Sequence, residues 1–582
     1  MKLLLTALNA KYIHSNLALH YLKAFAGKYR ESIGIKEYTI NHSMPEILKG
    51  IYKERADIVA FSCYIWNIEM ILQVAAELKK VSPDIIIWFG GPEVSYDYDR
   101  NLREYPFLDG VMIGEGEETF LELSTYYMEG GKELDQIAGI AYKQSAKREK
   151  DREKEDSTIT KTLNRRLISL DEIPFPYDDF EYFQNKIIYY ESSRGCPFSC
   201  SYCLSSIERQ VRLRSLELVT RELQIFLERK VAQVKFVDRT FNCNKNHAMQ
   251  IWNYIKMHDN GVTNFHFELS ADLLGEEELE FLSTLRPGQV QLEIGVQSTN
   301  PETIKAIRRK MNFAQLRRNV EKINAGGNIH QHLDLIAGLP MENYESFGRS
   351  FQEVYALKPE QLQLGFLKIL KGSLMEEEAK NYGILYQNKS PYEVLSTNWL
   401  SFDEILQIKG ICEMVEVYYN SGQFHYSIQY LEHHFPTGFA LYEALNHYYE
   451  QHNLYQAAHN RIKRFEILLD FFCETVLQLN SSELEADRLS LFKEILLLDY
   501  CIREDIKKRP GFANAAVEYK KLIDQFDAAG ISRKNSHIEH FSFDVLLSSK
   551  TGRAVRKEQN ILFDYSRRDP LNKAANMVIA EI

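Results

Sequence analysis

No stretch of the 582-residue sequence approaches the ~20 consecutive apolar residues of a membrane span. The opening MKLLLTALNAKYIHSN breaks its apolar run at Asn9 and Lys11, too soon for a signal peptide, and is expected to form a first buried strand. Positive charge is not in excess: the formal net charge is −11. That argues against broad, non-specific nucleic-acid binding and leaves room only for a local basic groove. Internal repeats are absent. Apolar residues make up 45% and charged residues 26%, which excludes a fully disordered or collagen-like chain. Paired, dense cysteines are lacking too, so a disulfide framework is excluded. The eight cysteines are Cys63, Cys196, Cys200, Cys203, Cys243, Cys412, Cys473 and Cys501. Three of them fall within eight residues. Such a triplet reads as metal binding in a reducing cytoplasm.

The length implies about three or four domains. Short apolar runs at Lys2–Ala7, Asp57–Phe61, Ile85–Phe89 and Gly110–Ile113 alternate with helical spacing at Leu17, Leu22 and Phe25 and over Met70–Lys80. Ser15 is a candidate helix cap. Continuous apolar strands separated by helices predict a parallel sheet covered on both faces. Such sheets bind ligands at the carboxyl ends of their strands. Here these ends carry Gly90-Gly91-Pro92 and Gly114-Glu115-Gly116-Glu117. Gln144–Asp156 (QSAKREKDREKED) is a charged linker or solvated insertion, and Pro174 and Pro176 mark an extended entry into a new unit. Strand signals return at Val234–Val237, Phe265–Leu269, Gln291–Val296, His332–Ile336 and Gln363–Ile369, which predicts a full or partial barrel. Residues 400–530 read as mainly helical, and HFSFDVLL and NILFDYS near the end read as a small antiparallel piece. The expected division is 1–143, a Rossmann-like sheet domain; 144–180, linker and entry; 181–390, barrel; and 391–582, a helical domain.

The strongest chemical signal is Arg194-Gly195-Cys196-Pro197-Phe198-Ser199-Cys200-Ser201-Tyr202-Cys203. Three thiolates on one loop can hold three corners of a [4Fe–4S] cube and leave the fourth iron open. The rival is structural zinc, which wants four closed ligands. The next cysteine, Cys243, is forty residues on and has no paired partner.

This motif resembles the radical S-adenosylmethionine superfamily. The resemblance implies that Cys196, Cys200 and Cys203 ligate the cluster, with Tyr202 near the adenine of S-adenosylmethionine. DIVAFSCYIWN, WFGGPEVSYD and DGVMIGEGEETFLEL resemble the cobalamin-binding domain that precedes the radical core in one branch. The implied cobalamin contacts are Asn9, Ser62, Trp66, Gly90, Gly91, Pro92, Glu93, Gly114, Glu115, Gly116 and Glu117. The Asp-x-His-x-x-Gly loop of many such domains is missing, so cobalamin is expected without a histidine ligand. His14 is either a cobalt-face residue or an ordinary loop histidine. FVDRTFN, FELSAD, EIGVQS and DLIAGLP sit at later strand ends. From them Asp238, Glu268, Glu293 and Gln297 are the implied S-adenosylmethionine contacts. Arg239 stands where the branch usually has an acid. LKILKGSLM (Leu367–Met375) closes the resemblance, which covers about residues 1–375.

The C-terminal third resembles the uncharacterised tail of a subgroup. His433, His434, His447, His452 and His459 invite a metal reading, but their spacing favours solvated or aromatic-packed side chains. Tyr448–Tyr455 with Arg461, Lys463 and Arg464 reads either as a stacking platform or as an amphipathic helix packed on the core. Arg553, Arg556 and Lys557 form a small basic patch. Cys412, Cys473 and Cys501 read as core residues. The resemblance implies a cytoplasmic, cobalamin-dependent radical methyltransferase acting on an unactivated carbon, through a [4Fe–4S] cluster, a 5′-deoxyadenosyl radical and methylcobalamin. A one-electron reductant such as a flavodoxin or ferredoxin is the implied partner; the substrate class, small molecule, peptide or RNA, stays open. The alternatives are a non-methylating cyclisation or rearrangement with the same cofactors, and a non-catalytic cobalamin-binding regulator.

Overall fold

Leu3–Asn9 (β1) is buried along its whole length, as a strand covered on both faces must be. It lies inside a seven-stranded sheet, next to its edge strand, with Ile33–Thr39 (β2), Ile58–Ser62 (β3), Ile86–Gly90 (β4), Gly110–Met112 (β5), Ile140–Lys143 (β6) and Ile159–Lys161 (β7). The order is β2-β1-β3-β4-β5-β6-β7. The first five strands run parallel, and β6 and β7 are antiparallel. Two apolar clusters, one per face, cover it. The computed structural model describes residues 1–131, 133–144, 158–477, 483–503, 509–513 and 535–580. Beyond Gln144, the expected linker Gln144–Asp156 lies outside them. The stretch 144–180 is nevertheless more than a connection. It supplies β7, and Ile168, Leu170 and Ile173 then pack on Tyr21.

The first helix, Leu17–Phe25, is capped by Asn16, whose Oδ1 accepts from Leu19 N–H at 3.3 Å. Ser15, the expected cap, instead donates to the Ile187 carbonyl at 3.2 Å and so reaches across to the barrel.

The barrel is six parallel strands: Ile188–Tyr190 (β8), then, past a two-residue antiparallel pair Ser193–Arg194 (β9) and Arg212–Leu213 (β10), Gln233–Phe236 (β11), Asn264–Leu269 (β12), Val290–Gln297 (β13), His330–Ala337 (β14) and Gln361–Phe366 (β15). Their order β15-β14-β13-β12-β11-β8 leaves β8 and β15 as free edges, so the barrel is partial. Alternation along β13 buries Val290, Leu292, Ile294 and Val296 against the helices and turns Glu293, Gly295 and Gln297 to the lumen.

The C-terminal unit is helical, with helices at Phe402–Val415, His425–Glu432, Gly438–Gln451, Arg461–Phe471 and Glu483–Arg503. A three-stranded antiparallel sheet ends the chain: Ser536–Phe543, Arg556–Arg568 and Ala575–Ala580. The expected strand HFSFDVLL is half right. Asp544 caps a helix there, and Val545–Thr551 is helical. Among the described residues no helix is long and apolar enough to cross a membrane.

Candidate active site

The cysteine loop leaves β8 through Glu191-Ser192-Ser193-Arg194-Gly195. Asp238, just past the end of β11, fixes this turn. It accepts from Ser192 N–H at 3.0 Å, Ser192 Oγ at 2.6 Å and Ser193 Oγ at 2.5 Å. Burial pushes its carboxyl up to about 6 against the pull of these donors. Asp238 was expected as a cofactor contact; at 1% exposure it is instead an anchor for the loop. Gly195 has a φ of +97°, and a Cβ there would clash with the Gln210 carbonyl oxygen, so the loop demands glycine.

Cys196 and Cys200 are buried, Cys203 is half-buried, and none is in a disulfide. Burial raises the Cys200 thiol; Arg309 lowers it, and the neighbouring Cys203 and Cys196 raise it further. Among the described residues, the groups whose ligand atoms all lie within 4.8 Å of one another are Cys501–His537–Glu539 and Glu293–His332–Asp334. The loop cysteines form no such group. Arg309 ties the loop to β13: its Nη2 donates to the Gly295 carbonyl at 2.5 Å, and its Nη1 lies 3.5 Å from Tyr202 Oη and 3.9 Å from Cys200 Sγ. The Tyr202 hydroxyl is thus engaged by Arg309.

The lumen below the loop is polar. Glu293 lies 2.8 Å from Lys235 Nζ and 3.0 Å from His266 Nε2. Burial raises its carboxyl, but His266 and Lys235 outweigh that and hold it below the usual carboxylate range. Glu268 has Lys235 only at 3.9 Å. Burial and the charge of Glu293 push it up to about 7. Gln297 has a φ of +73° at a bulge in β13. Its amide oxygen is buried without a hydrogen-bond partner. A Cβ on Gly295 would clash with its amide nitrogen, so that glycine makes room for it.

Above the loop, the carboxyl edge of the first sheet faces the barrel mouth across a cavity of about 1180 Å³. That exceeds the ~300–1,000 Å³ of drug-sized sites and suits a large cofactor. Asn9, Ser62, Trp66, Gly90, Gly91, Pro92, Gly114, Glu115, Gly116 and Glu117 all line it, as do Glu191, Arg194 and Arg239 from the barrel. Gly114 has a φ of +79°, and no atom lies within 4 Å of where a Cβ would stand, so its main chain is open to a ligand. Trp66 stacks on Tyr64 at 4.4 Å and donates to the Leu8 carbonyl at 3.2 Å. Glu93 does not line the cavity. It is turned toward the chain that closes the barrel, accepting from Tyr392 Oη at 2.5 Å with Lys371 Nζ at 3.2 Å. Its position beside the glycines is therefore a brace and not a lining.

Sequence reasoning missed the polar seam beside this cavity. Arg194 meets Glu191 at 2.7 Å, Glu117 at 2.9 Å and Glu115 at 3.2 Å, and Arg212 also pairs with Glu115. His14 Nδ1 lies 2.5 Å from Tyr189 Oη. Lys161, Arg165 and Arg166, after the charged stretch, line the cavity as well. Arg194 opens the cysteine motif, and Glu115, Glu117 and His14 are named from the first domain, but nothing in the sequence shows that they pair across to Arg194, Arg212 and Tyr189.

The C-terminal histidines each have a separate neighbour. His433 meets the Lys550 carbonyl, His434 Arg488, His447 Gln451, His452 Glu474 and His459 the Leu454 carbonyl. Tyr448 and Tyr449 are buried, which favours packing over a stacking platform.

Three family models match in order along the chain: a B12 binding domain over residues 3–124, the Radical SAM superfamily over 190–354, and a protein of unknown function, DUF4080, over 380–563. The chain is 26% identical over 406 residues to an uncharacterised methyltransferase of Pyrococcus horikoshii, covering 68% of this chain and 83% of the relative. It is 24% identical over 457 residues to the cobalamin-dependent radical SAM methyltransferase TokK of Streptomyces tokunonensis, covering 69% of this chain and 63% of that protein. The fold is also that of the cobalamin-dependent S-adenosylmethionine radical enzyme OxsB with aqua-cobalamin bound, at a TM-score of 0.58 and 16% identity, covering 90% of this chain and 83% of that one. The order of matched segments and the cavity between the first two place the chain among the cobalamin-binding radical S-adenosylmethionine proteins, in the subgroup that ends in a domain of unknown function.

Proposed function

We propose that the chain is a cobalamin-dependent radical S-adenosylmethionine methyltransferase acting on an unactivated carbon. The cavity carries this reading, because it brings the glycine turns of the first sheet together with Arg194, Gly195 and Leu204, which flank the three cysteines. Cys196, Cys200 and Cys203 would hold a [4Fe–4S] cluster. The unpartnered amide oxygen of Gln297 and the carboxyl of Glu268 would meet S-adenosylmethionine. Ser62, Gly90, Gly91, Gly114 and Gly116 would hold cobalamin. These groups, when bound, supply sulfonium cleavage, a carbon-centred radical and a methyl donor at cobalt.

The protein's own work is placement and exclusion of water. Asp238 sets the turn into the loop, and Arg309 clamps the loop to β13. Arg194 ties the first sheet's Glu115 and Glu117 to the same turn. Fixed geometry of this kind replaces encounter in solution. Leu5, Leu19, Leu22, Phe61 and Met112 give the cavity an apolar wall that sheds water. A soluble one-electron donor, a flavodoxin or ferredoxin in the cytoplasm, completes the reading.

The test is anaerobic. Protein reconstituted with iron, sulfide and cobalamin is reduced and given S-adenosylmethionine, and products are read by mass spectrometry. Both 5′-deoxyadenosine and S-adenosylhomocysteine are expected. Deoxyadenosine without S-adenosylhomocysteine would instead support a radical enzyme that transfers no methyl group. Neither product, with full iron and cobalamin, would overturn the catalytic reading.

A further inference from the structure

Arg239 follows Asp238 immediately beyond β11 and lines the cavity beside Val237. Its side chain is exposed, but the space it faces is the chamber between the first sheet and the barrel. The barrel places one other cation on this wall. Arg194 is committed to Glu191, Glu117 and Glu115. Among the described residues, Arg239 pairs with no carboxylate within 4.0 Å. Lys161 and Arg166 belong to β7 and the segment after it, at the other edge of the first sheet.

Two groups register the charge of Arg239 from opposite sides. Tyr64 feels it on the first sheet's side of the cavity, and Glu268 feels it from the lumen. Glu268 forms no ion pair with Arg239; the cation in range of Glu268 is Lys235, at 3.9 Å. The next residue, Thr240, puts its Oγ1 3.7 Å from Cys196 Sγ, so Arg239 is one residue from a side chain that touches the cysteine loop. A guanidinium presents five donors in a planar fork that matches a carboxylate or phosphate by two parallel hydrogen bonds. In a walled chamber such a pair is screened less than at an open surface.

We propose that Arg239 receives an anionic group of the substrate, a carboxylate or a phosphate, and so sets the substrate's register against the radical centre. The substrate class that follows is a small organic acid or phosphate ester. This rests on the chamber being the reaction site. The same fork would also fit the carboxylate of S-adenosylmethionine, and the experiment separates the two sources.

Holoprotein carrying cluster and cobalamin is titrated calorimetrically with malonate and with inorganic pyrophosphate, each with S-adenosylmethionine already bound. S-Adenosylmethionine affinity is measured separately, and R239Q and R239K are compared with wild type. Saturable binding of at least one anion to wild type is expected, weakened tenfold or more in R239Q and partly restored in R239K, with S-adenosylmethionine affinity changed less than twofold. An unchanged anion affinity in R239Q overturns the proposal, and so does the failure of both anions to bind wild type. A tenfold loss of S-adenosylmethionine affinity in R239Q overturns it too, by assigning the anion to the cofactor. Deoxyadenosine formation by the same wild-type preparation reports on the catalytic reading independently of the anion titration.

Discussion

The barrel meets its two neighbours in opposite ways. Toward the C-terminal unit the contact is apolar and continuous: one hydrophobic cluster runs through both. Phe351 packs on Phe439 at 5.4 Å, and Tyr355 meets Tyr442 edge-on at 5.7 Å with their hydroxyls 3.1 Å apart. Asn420 stands in for a missing strand, accepting from Leu362 N–H and donating to Leu362 O, both at 2.9 Å, along the free edge of β15. Toward the first sheet the two sheet cores stay separate, and the join is largely polar: ion pairs around Arg194, Glu115 and Glu117, the brace Glu93–Lys371–Tyr392 and the Ser15–Ile187 bond, with His20 packed on Tyr177 and Phe183 as an aromatic contact. A cavity is left between them, and among the described residues none after Arg239 lines it. The difference separates two jobs. The C-terminal unit closes an exposed barrel edge, a hazard that sheets otherwise manage with charge or short strands. The first sheet is docked at a distance that leaves a chamber.

Four measurements break or sharpen that contrast. The largest effect is chemical: Cys200→Ala should abolish 5′-deoxyadenosine formation and lower bound iron while cobalamin binding persists. Loss of cobalamin in step with iron would show that the chamber is not independently built. Next come paired core truncations. Phe351→Ala should cost ~3–5 kcal/mol and destabilise barrel and C-terminal helices in one transition. Phe89→Ala, in the first sheet's own core, should cost a similar ~3–5 kcal/mol yet release cobalamin while iron is retained. Denaturant melts followed by far-ultraviolet dichroism and metal content would read both, and identical profiles would erase the contrast. Glu117→Gln should cost less, ~1–2 kcal/mol, because Arg194 keeps Glu115 and Glu191. Its expected signature is weaker cobalamin retention at unchanged iron.

The smallest effect is a slope. Asp499, buried in the C-terminal unit, accepts from Ser427 N–H at 2.7 Å and Ser427 Oγ at 2.6 Å, and burial raises its carboxyl to about 7 from 3.8. An acid with a raised folded pKa binds its proton more tightly when folded. Its stabilising contribution is therefore whole below about pH 4 and fades as pH rises through about 7. Wild type minus Asp499→Asn should show stability falling with pH across that window. A flat difference would mean the carboxyl is not desolvated as placed.

Much of this architecture is legible in the sequence because burial on both faces writes itself as apolar runs. β1, β3, β4 and β5 fall within a residue or two of their expected positions, and so does the cysteine loop. β2 escapes notice because Ile33–Thr39 is a half-exposed edge strand. β6 and β7 escape because they are short and straddle the charged stretch. Side-chain direction is the other limit. Asp238 and Glu93 sit at the expected strand ends, but a motif does not say where a carboxylate points, and both point into protein. The ion seam of Arg194, Arg212, Glu115 and Glu117 joins residues up to 97 positions apart, which no local pattern records.

The central claim is that the chamber holds cobalamin beside the cluster. Its most direct test is paramagnetic: the relaxation of bound cob(II)alamin, measured by electron paramagnetic resonance before and after one-electron reduction of the cluster. Faster relaxation and broadening on reduction are expected in wild type and not in Cys200→Ala. A cobalt signal that ignores the state of the cluster, with both groups fully bound, would contradict the account.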